Sequence, residues 1–323
     1  MLGFRILEPG MFSTFQDHGR LGFQNQGMPI SGAMDVESLI IANKLVGQEQ
    51  AALEMTFTGA KIEFLKEMSI AITGADMAPM LNDRAVIMYK TIPVKLGDVL
   101  SFKGLKSGFR GYVAFSDKLI LEELYNSTST YTKISTGGYK GRALKKGDEI
   151  DVDVISFKEH FQVVKLEHFE PIRVLLGYEA NAFKETEVLF NHTYEVTNEL
   201  DRMGMRLKGE PLIHKESADI ISSPIIPGAI QVPKSGQPMI MLRDAQTIGG
   251  YTRIGTVISC DLNRLAQMKP GDKIAFESVT LEQAIEAKKQ WLEDLKKLNY
   301  SDNRRNFRVS VNGCVYDVFV EEI

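Results

Sequence analysis

Four short stretches of this chain carry residue types that could act together chemically. In residues 16–35, Q-D-H-G-R-L-G-F-Q-N-Q-G-M-P-I-S-G-A-M-D, Asp17 and Arg20 stand among Gly19, Gly22, Gly27 and Gly32. Glycine gives backbone freedom that packed elements avoid, so this spacing shapes a loop around a site or a plain surface turn. Asp17 and Arg20 can pair with each other, or Arg20 can offer its planar fork to a carboxylate or phosphate. In Asp244-Ala-Gln-Thr-Ile-Gly-Gly-Tyr251, Asp244 suits a general base or a group that orients an amide. Gln246 and Thr247 can hydrogen-bond an amide oxygen or N–H, and Gly249 and Gly250 permit close backbone approach.

The other two stretches are richer in cations. Ser127-Thr-Ser-Thr130 and Thr136-Gly-Gly-Tyr-Lys-Gly-Arg142 combine hydroxyls, glycines and positive charge, a set that either holds an anion or makes a solvated loop. Asp201-Arg-Met-Gly-Met-Arg206 goes with Gln231-Val-Pro-Lys-Ser-Gly236. Its Arg202 and Arg206 can bind an anion or pair with Asp201, Glu199 or Glu210. G-x-S-x-G, H-E-x-x-H, G-x-G-x-x-G and P-loop patterns are missing, which argues against an ordinary serine hydrolase, zinc protease, Rossmann enzyme or P-loop ATPase.

Composition narrows the class further. The net charge of -4 is spread over 323 residues, so no basic face for nucleic acid is expected. Residues 1–12 lack an apolar leader and no run reaches membrane-spanning length, so no membrane partner is expected. Cys260 and Cys314 are the only cysteines, which suits a reducing cytoplasm rather than a disulfide framework. Cys260, in V-I-S-C-D-L, reads as a buried strand thiol. The five histidines show no metal-ligand spacing, and no metal is expected.

The elements that must position these residues are mainly β-strands with a few helices. Strands are expected at Lys61–Leu65, Ser69–Thr73, Ala85–Tyr89, Val99–Phe102, Tyr112–Phe115 and Ile172–Leu176. One helix is expected from about Met34 to Val46, closed by Gly47. A second follows the capping box Thr280-Leu-Glu-Gln283 to about Leu298. Its stripe is read as Leu281, Ala284, Ile285, Leu292, Leu295 and Leu298, with Lys288, Lys289, Lys296 and Lys297 facing water. Residues 307–321 read as a hairpin around Asn312-Gly313, after a polar linker at Ser301–Asn306. The turn K-L-G-D at 95–98 echoes K-P-G-D at 269–272 and K-G-D at 146–148, and Asp17-x-Gly-Arg-x-Gly22 loosely echoes Asp201-Arg-Met-Gly204. Such echoes suggest two related β-barrel modules in tandem, residues 1–160 and 161–280, with a helix and hairpin tail at 281–323. The break falls near Val152–Pro171, where the chain turns charged.

With these motifs in hand, the chain resembles the biotin-dependent carboxyltransferase family, also called allophanate hydrolase subunit 2. The resemblance rests on Q-D-H-G-R-L-G, G-M-P-I-S-G-A-M-D, Asn43 and L-E-M-T (53–56). It rests equally on S-T-x-T (127–130), G-G-x-x-G-R-x-L (137–144), D-R-M-G-x-R-L (201–207), G-A-I-Q-V-P-x-x-G-x-P (228–238) and D-A-Q-T-I-G-G-Y (244–251). It covers about Phe4 to Val279 and implies a cyclophilin-like β-barrel architecture.

The family includes the KipI antagonist KipA and the C component of 5-oxoprolinase. Resemblance therefore implies a KipI-like B component as partner and a LamB/YcsF-like A component, the three together opening 5-oxoproline to glutamate with ATP. With no nucleotide motif here, ATP is expected at the partner or the interface. The alternatives are a KipA-type regulator that binds a KipI-like kinase inhibitor, and a biotin-dependent carboxyltransferase acting on urea or a related amide. Every amide-directed reading needs donors at a carbonyl oxygen, an acceptor at N–H and a hold on an anion. Asp244, Gln246 and Thr247 suit the amide. Asp17, Arg20, Ser127, Thr128, Arg142, Arg202, Arg206, Gln231, Gly249, Gly250 and Tyr251 are expected to bind substrate or anion. Ser116 and Asp117 replace the family's small A-G-G step, which could alter specificity if that backbone meets substrate. The tail is similar to the opening hairpin of a biotin-carrier domain, but the Met-Lys-Met site is missing, so no biotin is expected on this chain.

Overall fold

The computed structural model describes residues 1–157, 159–164, 166 and 171–298, and the backbone of 304–311 and 314–321. Alternating apolar residues in the first part build two sheets facing one core. A seven-stranded sheet runs in the spatial order 118–119, 149–153, 2–8, 61–64, 99–102, 79–81 and 84–85. A five-stranded sheet runs 12–16, 52–56, 107–115, 68–76 and 91–94. Phe4 of the first sheet and Phe115 of the second stack with ring centroids 4.4 Å apart. Both are fully buried, and each contributes roughly 1.5–3 kcal/mol.

The second part is a single eight-stranded sheet, in the order 273–274, 194–200, 204–208, 239–241, 229–231, 253–257, 172–176 and 276–278. Its two edge strands are joined through Ala275 alone, so one short step carries the chain from one edge to the other. The sheet is thereby a nearly closed barrel around Val196, Ile230, Ile240, Ile254 and Phe276. A separate pair of strands, Asp219–Pro224 and Ile248–Tyr251, projects beside it.

Four helices lie among the described residues: α1 (Val36–Leu45), α2 (Val188–Asn191), α3 (Leu262–Leu265) and α4 (Leu281–Lys297). Asp35 caps α1 by accepting from the Ser38 N–H at 2.9 Å. Leu39, Ile41 and Ala42 of α1 join Tyr112 of the first part, Ile258 and Cys260 of the second, and Trp291 and Leu295 of α4 in one buried layer. Met34 instead enters the core of the barrel. The loop ending at Asp35 is thus the wedge between the two parts.

Several expectations change in detail. The strand expected at Ala85–Tyr89 forms only at Arg84–Ala85; Tyr89 turns away at φ +58° so that its hydroxyl can accept from the Gly74 N–H at 3.0 Å. Cys260 is buried as expected but lies in a turn after the strand Arg253–Val257, and burial pushes its thiol up. The capping box at Thr280 and Gln283 is present. The stripe on α4 is different, because Trp291 docks and donates from Nε1 to Glu37 Oε2 at 2.6 Å. That rotates the packed face onto Ala284, Ala287, Trp291, Leu295 and Leu298, leaving Leu281, Ile285 and Leu292 exposed. Lys288 does not face water freely: its Nζ lies 3.9 Å from the Trp291 ring centroid. The tail strands Arg304–Val311 and Cys314–Glu321 pair with Val311 opposite Cys314. The Asn312-Gly313 turn, residues 301–303 of the expected linker, and Lys158, Lys165, Glu167 and His168 at the expected break lie outside the described residues.

The turn echoes are real at the level of geometry. In each copy an aspartate side chain accepts from the N–H three residues back: Lys95 to Asp98 at 2.7 Å, Lys145 to Asp148 at 2.7 Å and Lys269 to Asp272 at 3.0 Å. Asp17 and Asp201 likewise each accept from the N–H two residues on, at 2.8 and 2.7 Å.

Candidate active site

The loop 16–35 is held by the serine- and threonine-rich stretch. Asp17 Oδ1 accepts from Gly19 N–H at 2.8 Å, from Ser127 Oγ at 2.7 Å and from Ser129 Oγ. Its Oδ2 accepts from the N–H of Thr128 at 2.7 Å and from the Thr128 hydroxyl at 3.2 Å. Burial alone would raise this carboxyl, but the bonds from Ser129, Ser127, Gly19 and Thr128 hold it below its ordinary value. The anion that Ser127 and Thr128 bind is therefore Asp17 itself. Gly19 and Gly32 let the loop close on itself: a Cβ on Gly32 would lie 2.8 Å from Gly19 N.

Arg20 is fully buried, yet no carboxylate pairs with it among the described residues. Its Nε donates to Leu124 O at 3.2 Å and its Nη2 to Ser129 O, which leaves Nη1 without a partner. Burial pushes the guanidinium down, and Asp17 and Asp244 partly offset this. Asp244 also raises the half-buried Tyr131 phenol, after burial itself.

Asp244 is not a free carboxylate. Its Oδ2 accepts from Arg202 Nε at 2.9 Å and its Oδ1 from Arg202 Nη2 at 3.1 Å. Arg202 also donates from Nη2 to Gly32 O at 2.7 Å and from Nη1 to Glu54. Burial would lower this guanidinium, but Asp244 and Glu54 hold it well above its ordinary value. The structure thus brings Asp17, Arg20, Ser127, Thr128, Arg202 and Asp244 into one buried polar centre where the two parts meet. Glu54 and Tyr112 belong to it and were missed as site residues. Their signal was an acid inside the buried strand Ala52–Thr56.

A groove of about 570 Å³ is lined by Met203, Met239 and Met241 with Glu199, Arg206 and Gln246 at its polar side; Arg202 and Asp244 do not line it, but Asp201, Met203 and Gln246, one or two positions from them in the chain, do. The Arg206 Nε lies 2.8 Å from Glu199 Oε2. Gln246 is exposed. Gln231 is buried, with its Nε2 3.5 Å from Tyr251 O and its Oε1 unpartnered. A Cβ on Gly249 would lie 2.6 Å from that Nε2, so the strand Ile248–Tyr251, with Gly250 in it, packs tightly there. Thr247 O accepts from the Ile225 N–H at 2.9 Å. Arg142 stands apart: its guanidinium pairs with both oxygens of Asp148 at 2.7 and 2.8 Å. Ser116 and Asp117 also serve packing, with Ser116 Oγ accepting from Ser69 N–H at 3.0 Å and Asp117 pairing with Lys66. Among the described residues no group of three or more His, Cys, Asp or Glu could hold a metal ion, and no helix is long and apolar enough to cross a membrane.

Residues 26–278 match the family described as carboxyltransferase domain, subdomain A and B. The chain is 35% identical over 291 residues to the 5-oxoprolinase C subunit of Escherichia coli (strain K12), covering 88% of this chain and 94% of that one. It is 33% identical over 302 residues to the 5-oxoprolinase C subunit of Haemophilus influenzae (strain ATCC 51907 / DSM 11121 / KW20 / Rd), covering 91% and 97%. Its structure is similar to that of the K. lactis urea amidolyase, with a TM-score of 0.84 and 27% identity over 99% of this chain and 22% of that one. The barrel and Glu54, Tyr112, Ser127, Thr128, Arg202 and Asp244 of the junction centre fall inside the matched span, with Asp17 and Arg20 just ahead of it, and the chain belongs to the carboxyltransferase-domain family of subdomains A and B.

Proposed function

We propose that this chain is the C component of an ATP-dependent 5-oxoprolinase, which opens 5-oxo-L-proline to L-glutamate in the cytoplasm. It works with a KipI-like B component and a LamB/YcsF-like A component. The observation that carries the reading is the Asp244–Arg202 pair, whose chain neighbours Asp201, Met203 and Gln246 line a groove that offers both a carboxamide, Gln246, and a guanidinium, Arg206. 5-Oxoproline presents a lactam and a carboxylate on a small apolar ring. Gln246 and Thr247 suit the lactam carbonyl, Asp244 the lactam N–H, Arg206 the carboxylate, and the methionine floor the ring carbons. The unpartnered Arg20 N–H suits charge that grows on the carbonyl oxygen as water attacks and the C–N bond breaks. Gln231, Gly249, Gly250 and Tyr251 shape the neighbouring wall. ATP supplies the driving force, held by the partner or the interface.

The test combines the three purified proteins with ATP and 5-oxo-L-proline and measures glutamate. Glutamate production that depends on this chain supports the reading. No glutamate, with the partner pair active alongside its own C component, sinks it. A second reading, a carboxyltransferase acting on urea or a related amide, is favoured by the matched family's description and the urea amidolyase likeness. Transfer of carboxylate from carboxybiotin to urea in the presence of this chain would select it. A KipA-type regulator would bind the KipI-like protein and turn over neither substrate.

A further inference from the structure

The carboxylate that the proposed function sets on the lactam N–H, Asp244, belongs to the second part of the chain, but the groups that hold its partner Arg202 from the other side belong to the first. Glu54 lies in the strand Ala52–Thr56, directly opposite Tyr112 in the sheet, and is 1% exposed. Both of its oxygens are in use. Its Oε1 accepts from Arg202 Nη1, and its Oε2 accepts from the Met34 N–H at 2.8 Å and the Tyr112 hydroxyl at 2.7 Å. The Tyr112 hydroxyl in turn accepts from the Asp35 N–H at 2.8 Å, at the cap of α1. Arg202 therefore has one face on Asp244 and the other on Glu54 and Gly32 O. A planar guanidinium clamped on one side has little freedom on the other, so Glu54 sets the plane in which Asp244 is held.

We propose that Glu54 is a positioning residue for Asp244, acting through Arg202. The proposal rests on the reading that Asp244 contacts substrate. Glu54 itself touches no substrate in this arrangement. Burial and the Glu54 charge keep the Tyr112 phenol well above its ordinary value, so Tyr112 remains a donor to Glu54 at every working pH. A carboxamide at 54 would turn an N–H2 group toward Arg202 or toward Met34 and Tyr112, so Glu54→Gln breaks one side of the clamp without changing its size.

Turnover in the three-protein 5-oxoprolinase assay tests this with Glu54→Gln, Tyr112→Phe, Asp244→Asn and the Glu54→Gln/Asp244→Asn double variant. A misplaced reacting group costs kcat on the order of 100-fold. We expect that loss in Glu54→Gln with KM changed by less than about threefold, because ground-state contacts in the groove remain. Tyr112→Phe, which removes one donor and leaves both carboxylates, should lose kcat in the same direction by about 3–10-fold, and it covers the case in which Glu54→Gln does not fold. In the Asp244→Asn background, Glu54→Gln should add no further loss, since its effect passes through Asp244. Independently of turnover, the Arg202 Nε–H should exchange with solvent about 10-fold faster or more in Glu54→Gln, read by nitrogen NMR, as the clamp loosens. Unchanged kcat in both single variants, or a full additional loss in the double variant, overturns the positioning role. Full activity of Asp244→Asn removes the site reading itself and with it this proposal. An Asp244→Asn loss with an unaffected Glu54→Gln removes the positioning role alone.

Discussion

Arg202 and Asp244 meet twice, once through the side chains at 2.9 Å and once through the backbone, where the Asp244 N–H donates to Arg202 O at 2.8 Å. The backbone bond sets the register of the two segments and the side-chain fork sets the direction of the carboxylate. Arg202→Lys keeps the charge but loses the fork, leaving buried oxygens of Asp244, Glu54 or Gly32 unpaired. A loss of about 3 kcal/mol is expected in urea denaturation, with the melting temperature falling in parallel.

Asp17 makes a pH prediction with a definite sign. Its carboxyl is held below its ordinary value in the fold, so the unfolded chain binds the proton more readily. The stability it contributes is fully present above the unfolded value of about 4 and is lost as pH falls through the depressed folded value. Asp17→Asn should cost about 2 kcal/mol at neutral pH, and the gap between wild type and variant should close below about pH 4. A gap that stays constant down to about pH 3 would show that these hydrogen bonds do not favour the charged form.

Gly137 and Gly97 separate strain from crowding. Both have positive φ, +68° and +85°. A Cβ at Gly137 would lie 2.2 Å from Ser129 O and 2.4 Å from Arg20 Nη2, whereas at Gly97 nothing lies within 4 Å. Gly97→Ala should cost about 1–2 kcal/mol and leave any turnover intact. Gly137→Ala should cost more than that and displace Arg20, so turnover falls as well; equal melting temperatures for the two would contradict this.

The face of α4 can be checked by two substitutions. Leu295 is 4% exposed and Leu292 is 41% exposed. Leu295→Ala should lower stability by about 2–3 kcal/mol, and Leu292→Gln should stay within about 0.5 kcal/mol of wild type. The thermal melt of the Leu292 variant decides between this face and the stripe expected from periodicity, since Leu295 belongs to both and serves as the reference.

The local structure was largely written in the sequence. The capping box at Thr280, the three lysine-to-aspartate turns and the strand Ile172–Leu176 depend on residues within a few positions of one another, so neighbouring side chains and φ preferences suffice to specify them. Asp17, Arg20, Ser127, Thr128, Arg202 and Asp244, which lie far apart in the sequence, come together in the fold. What each side chain does there was decided only by tertiary structure. Ser127 and Thr128 looked like an anion cradle, and their anion is Asp17, 110 positions away from Ser127. Arg142 is expected from the sequence to help bind substrate or anion, and Asp148 takes its guanidinium. Asp244 reads in the sequence as a general base or a group that orients an amide; it is paired with Arg202, which is clamped by Glu54, 148 positions from it in the chain. A charge in a low-dielectric junction must find a partner wherever the fold brings one. Such pairings follow from which surfaces the core packing presses together, and no spacing along the chain records them.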